Sequence, residues 1–296
     1  MCTLDIIVPV FNEEDCLDDI LRRLNGVKDS FKDILDVSFL FVNDGSRDKS
    51  VDILKAFSEK YDYVKVINFA RNFGHQIAVT AGINNTNADY VAIIDADLQD
   101  PPELIVDMYK KSLEGYDIVY GKRLKRDKET AFKKLTAYGF YRVLNYMCNL
   151  DIPKDTGDFR LITKKVVEVL KNMPEHNRFI RGMVPWVGFK SAPVEFNREE
   201  RYAGETHYPL KAMIKLASNA IFSFSTKPLV MINYLAGLVL LLSIFSFLRL
   251  NLISATILFV GSLQLLAIGI VGAYIGRIYE EAKGRPLYTI KDKFNL

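Results

Sequence analysis

The sequence has few of the residues that build disulfide, metal–thiolate or redox sites. Its 296 residues contain only three cysteines, and Cys2, Cys16 and Cys148 show neither metal nor redox spacing, as is typical of a reducing compartment. The net charge of +3 is too small to indicate a nucleic-acid-binding protein. Residues 1–10 lack a basic segment and a cleavage site, so no signal peptide is predicted.

Charged side chains are missing from two long stretches near the C-terminal end. Residues 228–248 contain none, and residues 250–276 contain none either. About 20 apolar residues span a bilayer core, so both stretches are long enough. Arg249 and Asn251 mark the turn between them, and the pattern predicts a two-helix transmembrane hairpin at 228–276. The alternative is a pair of buried helices in a soluble domain.

The flanking charges predict how this hairpin is oriented. Basic residues lie before the first stretch and after the second, namely Lys211, Lys215, Lys227, Arg277, Lys283 and Arg285. By the positive-inside rule, both termini are expected in the cytoplasm, with residues 277–296 as a cytoplasmic tail. Residues 209–227 have helical amphipathic spacing, which indicates an interfacial helix on the bilayer. A last core helix of the soluble domain would show the same spacing.

The first two-thirds of the chain alternates strand-like and helix-like segments. This order predicts an α/β domain over residues 1–208, with a doubly wound, mostly parallel sheet. A further helix is predicted over 131–149. The predicted strands are 4–10, 37–42, 63–68, 90–94 and 117–121, and the helices between them are 13–24, 46–61, 75–84 and 101–115.

A pair of carboxylates follows the fourth of these strands. Asp95 and Asp97 are two residues apart, so a strand would direct both side chains to one face. Open α/β sheets bind ligands at the carboxyl ends of their strands. Hard oxygen ligands suit Mg²⁺ or Mn²⁺, which often share their coordination with substrate phosphates. The pair therefore suggests a metal-bridged diphosphate, and the alternative is a solvated turn.

Polar motifs also end the first two strands, and the three motifs together carry a family resemblance. They are Pro-Val-Phe-Asn-Glu at 9–13, Asn-Asp-Gly-Ser-Arg-Asp at 43–48 and Asp-Ala-Asp-Leu-Gln-Asp at 95–100. In this order they resemble the inverting family 2 glycosyltransferases of the GT-A fold. Arg-Asn-Phe-Gly at 71–74 and Thr-Gly-Asp-Phe-Arg at 156–160 narrow the resemblance to the polyprenyl-phosphate branch. That branch includes dolichyl-phosphate mannose synthases and bacterial undecaprenyl-phosphate glucosyltransferases.

The resemblance implies a role for each matching position. Asp97 and Asp158 match catalytic positions, and Asp158 is either the base or a group that orients the sugar. Nucleotide-sugar binding falls to Pro9, Phe11, Glu13, Asp44, Asp95 and Ala96, and metal binding to Asp95, Asp97 and Gln99. Cations expected to hold the lipid phosphate are Lys122, Arg123, Arg198 and Arg201. The chain departs from the branch at Thr206 and His207, where Ser and Lys are usual, and this puts the phosphate contact of position 207 in doubt.

The expected reaction is transfer of a hexose from a nucleotide sugar to a polyprenyl phosphate, with inversion and with Mg²⁺ or Mn²⁺. UDP-glucose is the favoured donor, because the two-span architecture resembles the bacterial glucosyltransferases, and GDP-mannose is the alternative. The expected location is the inner (cytoplasmic) membrane. A processive polysaccharide synthase is disfavoured because the only tryptophan, Trp186, lacks the Gln-x-x-Arg-Trp context. A non-catalytic membrane adaptor is the alternative from another class.

Small residues in the second apolar stretch leave the oligomeric state open. Gly261, Gly269, Gly272 and Gly276 allow close helix packing, either between copies of the chain in a homo-oligomer or within one hairpin.

Overall fold

A computed structural model describes residues 1–124, 156–197, 227–232, 234–235, 238–239 and 253–296. The described residues divide into two compact units. The first comprises those up to 197 together with 286–296, and the second those from 227 to 285. The predicted helices over 131–149 and 209–227, and the predicted phosphate ligands Arg198 and Arg201, lie outside the described residues except at position 227.

The first unit alternates strands and helices along most of its length. Its strands are β1 (Cys2–Val10), β2 (Leu35–Asn43), β3 (Val64–Phe69), β4 (Tyr90–Ile93), β5 (Ile118–Arg123), β6 (Thr156–Thr163), β7 (Ser191–Phe196) and β8 (Ile290–Phe294). Its helices are α1 (Leu17–Ser30), α2 (Ser50–Lys60), α3 (His75–Asn84), α4 (Leu104–Leu113), α5 (Lys164–Lys171) and α6 (Ile180–Trp186).

The eight strands form one sheet in the order β7-β5-β6-β4-β1-β2-β3-β8. Strand β1 pairs in parallel with β2 and β4, and β2 pairs in parallel with β3. These pairings confirm the predicted α/β fold with a mostly parallel sheet. The antiparallel strands are β6, between β4 and β5, and β8 at the outer edge beside β3.

Helix α1 shows why the sequence forms this layer. Its buried side chains recur with helical spacing at Leu17, Ile20, Leu21, Leu24 and Val27. They pack in one cluster with residues 4, 6, 8 and 10 of β1, while Ile7, between them, lies against α3 near Gly82. Burying each large aliphatic side chain contributes about 1.5–3 kcal/mol. The helix predicted at 13–24 begins at Leu17 and continues to Ser30, because residues 11–16 form the loop at the strand end.

Strand β6 was not predicted, and it changes the centre of the sheet. The sequence shows these residues only as a family motif, whereas the structure inserts them between β4 and β5 as an antiparallel strand. Ile93 pairs with Arg160, and continuing this register by two residues places Asp95 opposite Asp158. A motif about 60 residues away in sequence thus becomes the immediate neighbour of the Asp95 carboxylate.

The last part of the predicted cytoplasmic tail, residues 277–296, contributes a strand to the sheet of the first unit. Strand β8 pairs antiparallel with β3, and the Asn68 Nδ2 donates to Asp292 at 2.9 Å. The Asn295 Nδ2 donates to the carbonyl oxygens of Ser58 and Val64 at 2.6 and 2.9 Å. The Tyr288 ring stacks on Phe69 at 5.1 Å. These contacts cover the otherwise open edge of β3.

Among the residues of the second unit that the structure describes is the long helix α7 (Ile253–Ala282). Within the described residues, one helix, Phe259–Ala282, is long and apolar enough to cross a membrane, with a mean hydropathy of 1.8. It covers most of the second predicted span. The first predicted span, 228–248, lies mostly outside the described residues, and those of its residues that the structure describes are helical.

Candidate active site

A pocket of about 420 Å³ opens where β1, β2 and β4 end. Ligand pockets of this size class bind small molecules, and the carboxyl ends of parallel strands are the usual place for them. The structure brings all six predicted nucleotide-sugar residues into its wall. They are Pro9, Phe11, Glu13, Asp44, Asp95 and Ala96, joined there by Asp97, Asn72, Gly74 and His75.

Asp44 organises one side of this pocket. Its buried carboxylate accepts hydrogen bonds from the backbone N–H groups of Phe73 and Gly74 at 2.6 and 2.9 Å. Burial raises the pKa of Asp44, and the two backbone hydrogen bonds only partly oppose this effect. Each carboxylate oxygen accepts more than one hydrogen bond, so capacity remains for a ligand donor.

Gly45 allows the 43–48 and 71–74 loops to approach each other closely. Its φ of +67° lies in the left-handed region, and a Cβ at this position would lie 2.6 Å from the backbone nitrogen of Asn72. Only glycine satisfies both conditions without a shift of the loop. The Asp-Gly pair of the second motif is therefore a packing requirement of the pocket wall.

The segment after β4 turns so that both predicted metal carboxylates line the pocket. Leu98 has a φ of +58°, uncommon for a buried leucine, and the Gln99 N–H donates to Asp97 Oδ1 at 3.2 Å. Such backbone outliers are often found at functional sites. Within the described ranges, no cluster of three or more His, Cys, Asp or Glu side chains is arranged to hold a metal.

The donor set nevertheless fits Mg²⁺ or Mn²⁺. Asp95 Oδ1 is buried and has no hydrogen-bond partner among the described residues, and burial raises the pKa of Asp95 although the His75 charge opposes this. A buried carboxylate oxygen without a hydrogen bond is unfavourable unless a cation or proton joins it, and the His75 Nε2, at 3.5 Å, makes an ion-pair contact with Oδ1 but no hydrogen bond. Mg²⁺ commonly takes one or two carboxylates and fills its other positions with water and phosphate oxygens. Asp95, Asp97 and Gln99 are the residues that would hold the ion.

Asp158 occupies the centre of an ion cluster beside Asp95. The Arg181 guanidinium donates to both its oxygens, from Nε at 3.0 Å and from a terminal nitrogen at 2.9 Å. The Gln76 Nε2 donates to it at 3.2 Å, and the His75 Nε2 lies at 3.2 Å as well. Burial would raise the pKa of Asp158, but the Arg181 charge and these hydrogen bonds hold it well below its usual range.

His75, the first residue of α3, lies between the two carboxylates that face each other across β4 and β6. Its Nε2 is 3.2 Å from Asp158 and 3.5 Å from Asp95. Burial lowers the pKa of an imidazole, but the hydrogen bond to Asp158 and the charges of both carboxylates outweigh it and raise the pKa of His75 to about 9. The ring therefore carries a positive charge at neutral pH in the metal-free protein.

The structure does not bring Lys122 and Arg123 together. They are adjacent in β5, and consecutive strand residues face opposite sides of the sheet. Lys122 pairs with Glu195 at 2.8 Å, near the surface, whereas Arg123 lies 3.3 Å from the buried Asp100, in the turn that also contains Asp95 and Asp97.

Three side chains of the site were missed by sequence reasoning: His75, Gln76 and Arg181. The sequence pattern places His75 and Gln76 in a helix without indicating a role, and it places Arg181 in no predicted element. One signal could have revealed the cluster: Asp158 and Arg160 alternate with the apolar Phe159 and Leu161, the period of a strand that carries charge on one buried face.

Comparison with known proteins agrees with the geometry of this site. The sequence profile of Glycosyl transferase family 2 matches residues 5–171, which contain most of β1, all of β2 to β6 and every described residue of the site except Arg181. The chain belongs to this family. The predicted resemblance is thereby confirmed, and the protein is a member of an enzyme family of glycosyltransferases.

Several relatives match this chain over nearly its full length. The uncharacterized glycosyltransferase YkcC of Bacillus subtilis is 48% identical, over 98% of this chain and 94% of that protein. The bactoprenol glucosyl transferase of Shigella phage SfX is 36% identical, over 98% of this chain and 99% of that protein. Among solved structures, mannosyl-3-phosphoglycerate synthase of Rubrobacter xylanophilus superposes with a TM-score of 0.51 at 16% identity, over 74% of this chain and 72% of that one. This last likeness shows the GT-A fold alone.

Proposed function

We propose that this glycosyltransferase transfers glucose from UDP-glucose to a polyprenyl phosphate, with inversion at the anomeric carbon. The observation that carries the proposal is the pocket itself, with buried Asp44 on one side and the Asp95–Asp97 turn on the other. The full-length similarity to the bactoprenol glucosyl transferase supports a lipid acceptor and a glucosyl donor. An apolar helix of 24 residues supports an enzyme located at a membrane.

Different residues of the pocket bind different parts of the nucleotide sugar. Asp44 accepts a hydrogen bond from the base or the ribose, and Phe11, which is 43% exposed at the pocket, supplies an apolar contact. Asp95, Asp97 and Gln99 would hold the divalent cation. When bound, Mg²⁺ or Mn²⁺ neutralises the diphosphate as it leaves.

The transfer itself is a substitution at one carbon. A phosphate oxygen of the acceptor forms a bond to the anomeric carbon while the bond from that carbon to the diphosphate oxygen breaks, and UDP leaves with the electron pair. Because the second pKa of a phosphate monoester is about 6, the acceptor is already a nucleophilic anion at neutral pH. Because the substitution inverts the configuration of the anomeric carbon, an α-linked donor gives a β-linked polyprenyl-phosphate sugar.

The acceptor side of the proposal depends on the membrane segments. Residues 228–276 are proposed to form the two-span hairpin, with both termini in the cytoplasm and residues 209–227 at the interface. Arg198 and Arg201 remain the proposed phosphate ligands. Lys122 and Arg123 are also proposed for this role, although in the structure each pairs with a carboxylate.

The test is labelled-sugar transfer into extractable lipid by the purified full chain, with polyprenyl phosphate and Mn²⁺. UDP-glucose and GDP-mannose are compared as donors. We expect transfer from UDP-glucose, and we expect Asp97→Asn to reduce it about 100-fold or more, since electrostatic groups at a reacting centre have effects of this size. Asp107→Asn, an exposed carboxylate on α4, is the matched control and keeps full activity.

If only GDP-mannose served as donor, the transferred sugar would be mannose and not glucose, and the proposed transfer to polyprenyl phosphate would stand. Absence of transfer from every common donor would favour the adaptor alternative. Unchanged transfer by Asp97→Asn would remove this residue from the metal site.

A further inference from the structure

Asp158 lies where a proton acceptor might be expected, but its surroundings do not suit that task. A carboxylate offers about four lone-pair sites. Arg181 donates to both oxygens, and Gln76 and His75 also contact Oδ2. Three of these four contacts fall on Oδ2 and one on Oδ1, so the carboxylate is held chiefly through Oδ2, and that oxygen could accept a proton only after a partner had moved away.

The reaction has little need of a base at this position. A general base is effective when its pKa lies near the working pH, whereas the adjacent Arg181 and His75 hold the pKa of Asp158 well below its usual range. The acceptor of the proposed reaction is a phosphate that is already ionised. A carboxylate in this state is a fixed negative charge.

The charge of Asp158 holds the helices α3 and α6 beside the end of β4, where Asp95 lies. His75 and Gln76 open α3, and Arg181 lies in the first turn of α6. Gln76 extends the link, because its Oε1 accepts the Ile180 N–H at 2.8 Å while its Nε2 donates to Asp158. Asp158 thus holds the beginnings of α3 and α6 together, next to Asp95.

His75 is the member of this cluster that reaches the substrate side. It lines the donor pocket, and its Nε2 lies 3.5 Å from the otherwise unpartnered Asp95 Oδ1. Like charges directly opposite each other across two strands repel, and here the His75 ring separates Asp95 from Asp158. The position of the ring is therefore coupled to the geometry of the metal ligand.

We propose that Asp158 is a positioning residue: it fixes His75 and Arg181 beside Asp95 and does not take the proton in the transfer. The proposal rests on the proposed glycosyl transfer and assigns a role within it. Because Asp158 then acts through its partners, removing Arg181 should disturb the same geometry as removing Asp158. Misplacement by about 1 Å at a reacting centre lowers rates about 100-fold.

The test is a double-mutant cycle on the full chain with Asp158→Asn, Arg181→Gln and the double variant. We expect each single variant to lower kcat about 100-fold. The kcat of the double variant should lie within about 3-fold of the kcat of the less active single variant. Arg181→Lys should be more active than Arg181→Gln. Arg22→Gln, a surface ion-pair variant on α1, is the control and keeps wild-type activity. UDP binding with Mn²⁺, measured by calorimetry, checks that each variant retains the donor pocket.

Losses that multiply in the double variant would overturn the proposal. A second readout covers the case in which Asp158→Asn fails to fold. If Asp158 were the base, Arg181→Gln would raise its pKa and move the acidic limb of the kcat profile to higher pH, whereas a positioning role leaves the limb unmoved. The cycle is measured with whichever donor the wild type uses, so failure of UDP-glucose as donor is distinguished from failure of this proposal.

Discussion

Asp44 and Asp158 are both buried carboxylates of the same site, yet their surroundings give them opposite proton affinities. Asp44 is held by two neutral backbone N–H groups, and burial leaves its pKa raised. Asp158 is held by Arg181 and His75, and their charges outweigh burial and lower its pKa. Of these two carboxylates, the one that accepts hydrogen bonds from charged donors has the lowered pKa, and the one that accepts them from neutral donors has the raised pKa. Neutral donors leave Asp44 able to exchange partners with a ligand, whereas cationic donors hold Asp158 in place.

The largest expected effect is a difference in stability between a variant of Asp158 and a variant of Asp44. Asp158→Asn should lower the free energy of unfolding by about 3–5 kcal/mol, because it removes the negative charge that faces the buried Arg160 and the half-buried Arg181. Asp44→Asn should lower it by about 1–3 kcal/mol, the range for a disturbed hydrogen bond to neutral groups. Urea unfolding of the two variants measures the difference. Equal losses would show that donor charge does not distinguish the two sites.

A smaller effect is expected on the Asp44 side from Gly45→Ala. The added Cβ would be placed at a positive φ and against the backbone of Asn72, with a strain of about 1–3 kcal/mol. Since this contact joins the two loops that line the pocket, the KM for the donor should rise more than kcat falls. Gly26→Ala, on α1 where a Cβ meets no atom within 4 Å, is the matched control. A normal donor KM in Gly45→Ala would separate the loop contact from donor binding.

The pH dependence on the Asp158 side should be smaller again. The folded-state pKa of His75 is about 9, above the unfolded value near 6.5. Its contribution to stability is therefore complete below pH 6.5 and is lost as the pH rises through 9. The melting temperature of metal-free wild type should fall across this window more than that of His75→Gln. Parallel curves for the two proteins would show that His75 does not carry the charge.

Sequence reasoning predicted the local part of this arrangement. Each apolar strand followed by a polar motif implied a strand end, and parallel pairing then brought Asp44 and Asp95 to one edge. The family roles of the residues there stay predictions. The Asp158 cluster could not be predicted in the same way, because it depends on an antiparallel register between β4 and β6 that has no local signal. Arg181 reaches the site only through that register and the packing of α6.

Strand β8 has a consequence for how the protein is made. It follows α7 in the chain but pairs with β3, which is synthesised more than 200 residues earlier. During translation the edge of β3 therefore stays unpaired until the apolar helix α7 and the residues after it have left the ribosome. At about 5–20 residues per second this interval lasts at least roughly ten seconds. The nascent glycosyltransferase domain must remain soluble with an open sheet edge until its final strand arrives.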